Sequence, residues 1–160
     1  EFNAYICEEN GMIGIDKMDI ERYSRILEKK GLKPTANRLM ILKAMLSEVH
    51  PVSVTDLENI LITVDKSSIF RVLSLFVSHH VAHAIEDGSG VLKYEICSGE
   101  EECTIDDMHT HFYCESCHQT FCFKTIHVPI VELPEGFVMH SINYMVKGIC
   151  PKCMAKKSNQ

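Results

Sequence analysis

The stretch KSSIFRVLSLFVSHHVAHAIEDGSGVLKYEIC, residues 66–97, decides which fold this 160-residue chain adopts. Apolar side chains in its first part recur at i, i+3, i+4 and i+7, the spacing of one helix face, and predict a helix over 66–78. These side chains belong to Ile69, Val72, Leu73 and Phe76. Two strand-like runs then flank the turn Asp87-Gly88-Ser89-Gly90, which predicts a β-hairpin.

Three shorter helices are predicted upstream because their ends carry residues typical of helix stops and starts. Gly31 suits the left-handed backbone that ends a helix, and Ser53 opens a capping box with Asp56. The three helices are predicted over residues 20–30, 35–47 and 53–62. Helices followed by a hairpin predict a winged helix-turn-helix over residues 19–97, although an unrelated small α+β domain has the same elements.

The polar face of the predicted helix 66–78 is suited to contact DNA. Small hydroxyl side chains beside an arginine fit the groove of a duplex, and an aromatic ring can touch a thymine methyl group. The side chains directed away from the apolar stripe are Ser67, Ser68, Arg71 and Ser74, with Phe70 at its margin. We therefore predict that this helix reads double-stranded DNA.

The charge distribution divides the chain into two halves. The net charge is −6, but residues 20–85 carry nine Lys and Arg against six Asp and Glu. Residues 86–160 carry six against eleven. A positive half joined to an acidic half that is rich in Cys and His predicts two domains with different partners.

Eight cysteines and nine histidines indicate metal binding. The N-terminal residues are acidic and contain no apolar run of the signal-peptide kind, which predicts a cytoplasmic protein with reduced cysteines. No stretch approaches the roughly 18 apolar residues that a membrane span requires. The sequence therefore predicts metal ligands rather than disulfides, and no membrane partner.

Two Cys-x-x-Cys pairs predict a closed zinc site. They are Cys114 with Cys117 and Cys150 with Cys153, and 32 residues separate the two pairs. Each pair binds a metal through one tight turn, and two pairs supply four thiolates in a tetrahedron. Buried or redox-active thiols are the alternative, but a thioredoxin-type motif uses a single pair. The zinc would join the ends of a small domain over residues 109–155, which follows an acidic linker at residues 98–108.

A second metal site is predicted from histidines and a cysteine near the hairpin. Paired strands bring His83 and Cys97 within reach of each other. Alternate residues of a strand share a face, so His109 and His111 can bind the same ion. A mixed nitrogen and sulfur set of this kind suits Zn²⁺. The alternative ligands are Glu95, on the same face as Cys97, and His50.

Several short motifs together resemble the ferric uptake regulator (Fur) family of metal-responsive repressors. The first half contributes GLKPTANRLMIL, SSIFRVLSLF and HAIEDGSGVLKYEIC, and the second half contributes HTHFYCESC, LPEGF and GICPKC. Their order and spacing together are specific to the family, and the residues at its sensing site, Cys97 above all, are most similar to the zinc-uptake branch. The resemblance implies an N-terminal winged helix, a C-terminal α/β domain that dimerises, and a metal corepressor for metal-uptake genes.

The resemblance also implies roles for individual residues. Lys33 and Arg38 occupy positions where the family contacts DNA, and Phe70-Arg71 stands where the family usually has Tyr-Arg on its recognition helix. The implied structural zinc ligands are Cys114, Cys117, Cys150 and Cys153, and the implied sensing ligands are His83, Cys97, His109 and His111. The expected ions are a structural Zn²⁺ and a second divalent ion, either Zn²⁺ or Fe²⁺.

Three departures from the family pattern bear on the sites. Cys122 stands where many relatives have a Glu or Asp ligand, which makes it a further alternative ligand. Ile142 occupies a position where relatives often have histidine, so the additional carboxylate/histidine site of the family is expected to be absent. Pro129 and Pro134 are expected to shorten the helix after Cys122 and to alter the dimer contact.

Other function classes fit the sequence less well. A zinc deaminase carries H-x-E followed by P-C-x-x-C, whereas His109 is followed by Thr-His and no glutamate is placed as a general base. We therefore predict no enzyme and no small organic substrate. Two alternatives stay open: an iron- or peroxide-responsive regulator of the same family, and a zinc-binding module without DNA affinity. The leading prediction is a zinc-responsive repressor that binds operator DNA as a homodimer.

Overall fold

The structure, a computed structural model, describes residues 17–97, 109–127, 131–139 and 142–158. These residues form two compact units. The first unit contains residues 17–84 and 93–97, and the second contains residues 85–92 and the described residues from 109 onward. The expected linker, residues 98–108, lies outside the described part of the chain.

Four helices of the first unit occur where the sequence predicts them. They are α1 Lys17–Lys29, α2 Ala36–Ser47, α3 Val54–Ile60 and α4 Lys66–Ser78. The four apolar side chains predicted for the inner face of α4 are all buried. Gly31 follows α1 with a φ of +71°, the left-handed conformation that a helix-ending glycine supplies without strain. Helical periodicity therefore located each of these elements correctly.

The starts of α3 and α4 are fixed by side-chain caps. Ser53 Oγ accepts a hydrogen bond from the Asp56 N–H at 3.1 Å, and the Asp56 carboxylate accepts one from the Ser53 N–H at 2.7 Å. This reciprocal pair is the predicted capping box. At α4 the Asp65 carboxylate accepts a hydrogen bond from the Ser68 N–H at 2.9 Å, which satisfies one of the free N–H groups of the first turn.

A three-stranded sheet completes the winged helix. Its strands are β1 Val52–Ser53, β2 Ala82–Glu86 and β3 Leu92–Ile96, in the order β1-β3-β2. β1 runs antiparallel to β3, with Val52 opposite Tyr94. β2 and β3 are neighbours joined by a five-residue loop, residues 87–91, as the predicted hairpin requires.

The core of the first unit consists of the apolar faces of its helices. Leu27 of α1, Leu42 of α2, Leu57 of α3 and Phe76 of α4 are fully buried in one cluster, which also includes Tyr94 of β3. Burying such side chains stabilises a fold by roughly 1.5–3 kcal/mol each. The helix packing therefore does not depend on any bound ion.

The second unit is built on a smaller sheet. Its elements are β4 His109–Cys114, β5 Thr120–His127, β6 Met145–Gly148 and α5 Pro151–Ser158. The strand order is β5-β4-β6, with β4 antiparallel to β5 and parallel to β6.

The connection from β5 to β6 is described over residues 131–139 and 142–144. This part of the connection contains no helix, and Pro134 lies within it, whereas Pro129 lies outside the described residues. In the described ranges of the whole chain, no helix is long and apolar enough to cross a membrane.

Candidate metal centres and DNA-binding surface

The second unit brings the two Cys-x-x-Cys pairs together. Cys114 ends β4, and Cys117 lies in the turn that follows. Cys150 precedes α5, and Cys153 lies in its first turn. Because β4 and β6 are parallel, with Cys114 opposite Gly148, both strands end at the same edge of the sheet, and this edge brings the two pairs together.

The four sulfur atoms are arranged as a tetrahedral metal requires. One ligand atom from each cysteine lies within 4.8 Å of all the others, and Cys117 Sγ is 3.9 Å from Cys150 Sγ. Zinc–sulfur bonds of about 2.3 Å would separate the sulfurs by about 3.8 Å. Cys114, Cys150 and Cys153 are buried, whereas Cys117 is exposed. The donor set and the spacing therefore fit a closed site of the structural zinc type.

Backbone N–H groups near this cluster lower the pKa of one of its thiols, which favours cation binding. Burial alone would raise the pKa of Cys114, but backbone N–H groups, first that of Cys117, outweigh burial and lower this pKa to about 6. One of these donors is the Cys150 N–H, 3.3 Å from Cys114 Sγ. The Gln119 N–H acts to lower the pKa of Cys117, but desolvation and the neighbouring cysteines outweigh it and raise this pKa to about 11. Cys114 is therefore a thiolate at neutral pH, the form that binds metal.

Three of the candidate ligands of the second metal site meet in the first unit. His83 Nε2 lies 3.4 Å from a Glu95 carboxylate oxygen, and His83 Nδ1 lies 3.7 Å from Cys97 Sγ. The side chains of His83 and Glu95 are 29% and 14% exposed, so solvent screens this contact only in part. The predicted pairing of His83 with Cys97 is present, and a Glu95 carboxylate oxygen lies near the other ring nitrogen of His83.

The second unit holds the remaining candidates on β4 and β5. His111 is buried, and Cys122 is its direct partner across the antiparallel pair. Side chains at directly opposed positions project to the same face, so Cys122 is a neighbour of His111. The backbone of His109 pairs opposite His127, but the side chain of His109 lies outside the described residues. Among the described residues, His50 belongs to no group of three or more possible ligands.

The outer face of α4 presents the predicted DNA-reading side chains. Phe70 is 55% exposed, and Ser67 and Arg71 are also exposed. Ser68 is partly buried, and its hydroxyl donates to the Asp65 carboxylate at 2.6 Å.

Two basic side chains predicted to contact DNA lie in and just before α2. Lys33 is exposed, and the Arg38 guanidinium donates to the Lys33 carbonyl oxygen at 2.6 Å. This bond fixes the loop at the start of α2 while the ammonium of Lys33 stays in solvent. Both cations are therefore available to phosphate groups.

One buried polar pair in the second unit was missed by the sequence analysis. Asp87 and Thr120 are both 0% exposed and are hydrogen-bonded to each other. The motif Asp-Gly at residues 87–88 signals a turn, but it does not signal a partner 33 residues away.

Similarity to known proteins decides the family. The model of the Ferric uptake regulator family matches residues 29–143, more than half of the chain. The chain belongs to the ferric uptake regulator family. Fur-family proteins are metal-responsive transcription regulators and not enzymes.

Individual relatives agree with this assignment. The ferric uptake regulation protein of Campylobacter jejuni is 25% identical over 152 residues, which cover 87% of this chain and 90% of that protein. The solved structure of the Vibrio cholerae ferric uptake regulator has a TM-score of 0.56 at 19% identity and covers 79% of this chain and 98% of that chain. A zinc uptake regulator complexed with zinc and DNA has a TM-score of 0.64 at 17% identity, with coverages of 87% and 95%. The fold is therefore that of the Fur family, a winged helix followed by an α/β domain.

Proposed function

We propose that this Fur-family chain is a zinc-responsive repressor that binds operator DNA as a cytoplasmic homodimer and controls metal-uptake genes. The observation that carries the choice of zinc is the Cys97 thiol, which lies 3.7 Å from His83 Nδ1. A thiolate beside an imidazole favours Zn²⁺ over ions that prefer oxygen ligands. The solved zinc uptake regulator, which is complexed with zinc and DNA, supports the same choice.

The first ion is proposed to be a structural Zn²⁺ in the Cys114, Cys117, Cys150 and Cys153 cluster. Four thiolates complete a tetrahedron and leave no open position for a substrate or a water molecule. This ion therefore stabilises the second unit and does not respond to the metal concentration of the cell.

The second ion is proposed to be the corepressor. The proposed ligands are His83, Cys97, His109 and His111, and the alternatives are Glu95, Cys122 and His50. The contact of Glu95 with His83 and the position of Cys122 opposite His111 support these two alternatives most directly. Bound by ligands from both domains, the ion would favour the spacing of the DNA-binding domains that a two-fold operator requires.

An iron-responsive regulator is the second candidate, and Glu95 is the observation that favours it. A carboxylate oxygen 3.4 Å from His83 Nε2 offers the oxygen and nitrogen ligands that Fe²⁺ accepts. Titration of DNA binding against buffered free zinc and free iron separates the two candidates. Zinc is expected to act at the lower free concentration, and a response to iron alone would contradict the zinc assignment.

DNA contact is proposed for six residues of the first unit. They are Lys33, Arg38, Ser67, Ser68, Phe70 and Arg71. We expect Phe70→Ala to weaken operator binding by roughly 1–3 kcal/mol and to change binding to random DNA far less, because a base contact carries sequence information. An operator selected from a random DNA library in the presence of zinc provides the probe. An equal loss on both DNAs would contradict a base contact.

The switch is tested by Cys97→Ala and His111→Ala. Zinc can raise DNA affinity only in proportion to its preference for the DNA-binding arrangement, and DNA must raise zinc affinity by the same factor. Both variants are expected to keep the structural zinc and the dimer but to lose the zinc-dependent gain in operator affinity. A parental zinc response in both variants would move the sensing site to other ligands. An absence of any DNA binding by the parent would instead favour a zinc-binding module without DNA affinity.

A further inference from the structure

The tip of the β2–β3 hairpin, residues 86–91, belongs to the second unit and is held there through a buried carboxylate. Asp87 and Thr120 are both 0% exposed, and Thr120 Oγ1 donates to an Asp87 carboxylate oxygen at 2.6 Å. The other carboxylate oxygen of Asp87 accepts a hydrogen bond from the Ser89 N–H at 2.8 Å. A buried carboxylate is tolerated only when such donors surround it, so these bonds specify where the tip lies.

Two further contacts hold the same tip. The Asn143 side-chain amide donates to the Glu86 carbonyl oxygen at 2.9 Å. The Lys147 ammonium lies against Gly88, where a β-carbon would collide with it, and above the Tyr113 ring at 5.7 Å. Thr120, Asn143 and Lys147 come from the start of β5, the loop before β6, and β6 itself. Three other segments of the second unit therefore contact this one turn.

The composition of the tip is unsuited to DNA. Residues 86–91 contain two carboxylates and no Lys or Arg. A wing that touches a duplex gains affinity by bringing cations to the phosphates, and carboxylates are repelled by them. Because Asp87 is buried in the second unit, the turn makes an internal contact there.

We propose that the hairpin tip is a clasp, held within the second unit by the hydrogen bond between Asp87 and Thr120, and not a DNA-contacting wing. The two residues are positioning residues for β2 and β3, the strands that lead to His83, Glu95 and Cys97. The part of the proposal that concerns the metal response rests on the proposed function, whereas the clasp itself does not. When the clasp opens, the turn that joins the strands with these candidate ligands is no longer held, and the ordering that zinc must supply increases.

Hydrogen-exchange mass spectrometry on the full zinc-loaded chain tests the clasp directly. Thr120→Val removes the hydroxyl donor but keeps the side-chain shape, and we expect the amides of residues 86–91 to exchange roughly 10- to 100-fold faster. Thr120→Ser keeps the hydroxyl and is the matched control, with exchange close to that of the parent. Exchange of the tip at the parental rate in Thr120→Val, or equally fast exchange in both variants, would overturn the clasp.

A second variant guards against a global defect in Thr120→Val. Asn143 is exposed, so Asn143→Ala removes only the donor to the Glu86 carbonyl. We expect roughly two- to tenfold faster exchange at the tip with one structural zinc still bound per chain. Parental exchange in this variant, together with loss of zinc from Thr120→Val, would also count against the clasp.

DNA binding tests the second half of the proposal. Val91 is 51% exposed at the tip, and Val91→Glu is expected to change operator affinity by less than about twofold. Arg71→Ala on α4 serves as the positive control and should weaken binding by roughly tenfold. A loss in Val91→Glu as large as that in Arg71→Ala would show that the tip contacts DNA and that the proposal is wrong. Absence of zinc-dependent binding in the parent would instead contradict the proposed function, while the exchange measurements would still decide the clasp.

Discussion

The first unit buries eighteen apolar residues in one cluster, whereas the buried cluster described for the second unit consists of three cysteines. In the first unit, apolar side chains from four helices and a sheet supply the stabilising area. In the second unit, Phe112, Phe121 and Ile149 pack only partly buried around the cysteines. One chain thus contains one unit held by apolar packing and one whose described buried cluster is a set of possible metal ligands.

This difference in buried apolar area predicts how each unit responds to loss of a metal ligand or of a core side chain. The described part of the second unit, a small sheet with one eight-residue helix, buries too little apolar area to be stable alone, and the proposed zinc would supply the missing free energy. The first unit has enough buried area to fold without an ion. A change that breaks the metal site should therefore leave the helices intact, and a change in the helical core should leave the zinc bound.

The largest expected effect is the loss of the structural zinc. Binding free energies of such sites reach roughly 10–16 kcal/mol, so Cys150→Ser should lose the ion and unfold the second unit while the α1–α4 amides keep their protection. Metal content and hydrogen exchange by segment measure the two outcomes, and sedimentation should show poor dimerisation. Cys122→Ser, a thiol outside the cluster, is the control and should retain the ion. Full zinc and a stable dimer in both Cys114→Ser and Cys150→Ser would contradict the assignment.

The next largest effect should come from the helical core. Phe76 is fully buried, and Phe76→Ala should lower the free energy of unfolding of the first unit by roughly 3–5 kcal/mol, because it leaves a cavity. Denaturant titration followed by the helical circular-dichroism signal measures this loss. Phe70→Ala on the same helix is the matched control and should change stability by only about 0.5 kcal/mol, since its ring is 55% exposed. Loss of zinc from Phe76→Ala would show that the two units are not energetically separate.

The smallest effect concerns an ion pair between α1 and α2. Lys43 Nζ lies 2.6 Å from an Asp19 carboxylate oxygen, with both side chains about one-fifth exposed. The hydrogen bond from Lys43 lowers the pKa of Asp19 below its ordinary value of 3.8. A lowered carboxyl pKa stabilises the fold above the ordinary value, and the contribution is lost as the pH falls through the folded-state pKa. Asp19→Asn should therefore cost less than about 1 kcal/mol at neutral pH and almost nothing at lower pH.

Helix unfolding measured across this pH range checks the ion pair. Glu21→Gln is the control, because Glu21 pairs with Arg25 at 3.8 Å in an exposed position and should contribute little at any pH. A cost for Asp19→Asn that grew on acidification would reverse the expected sign and contradict the pairing.

Several features of the fold follow from local sequence because their causes are local. The apolar stripe of α4, the capping box at Ser53 and the glycine after α1 each depend on residues within a few positions of one another. The four-cysteine cluster was also predictable, because two tight Cys-x-x-Cys turns have few uses other than a shared metal. Strand pairing in the hairpin belongs to the same class, since a short turn brings the two strands together.

Other features depend on partners that are distant in the chain, and only the tertiary structure decided them. From the sequence, Glu95 and Cys97 were alternative ligands beside His83. In the structure both lie next to His83, Glu95 near Nε2 and Cys97 near Nδ1. Asp87 and Thr120 are 33 residues apart, and no local pattern pairs them. Periodicity determines which face of an element is apolar. The assembled sheets determine which polar groups are buried next to each other, and buried polar groups must hydrogen-bond to one another.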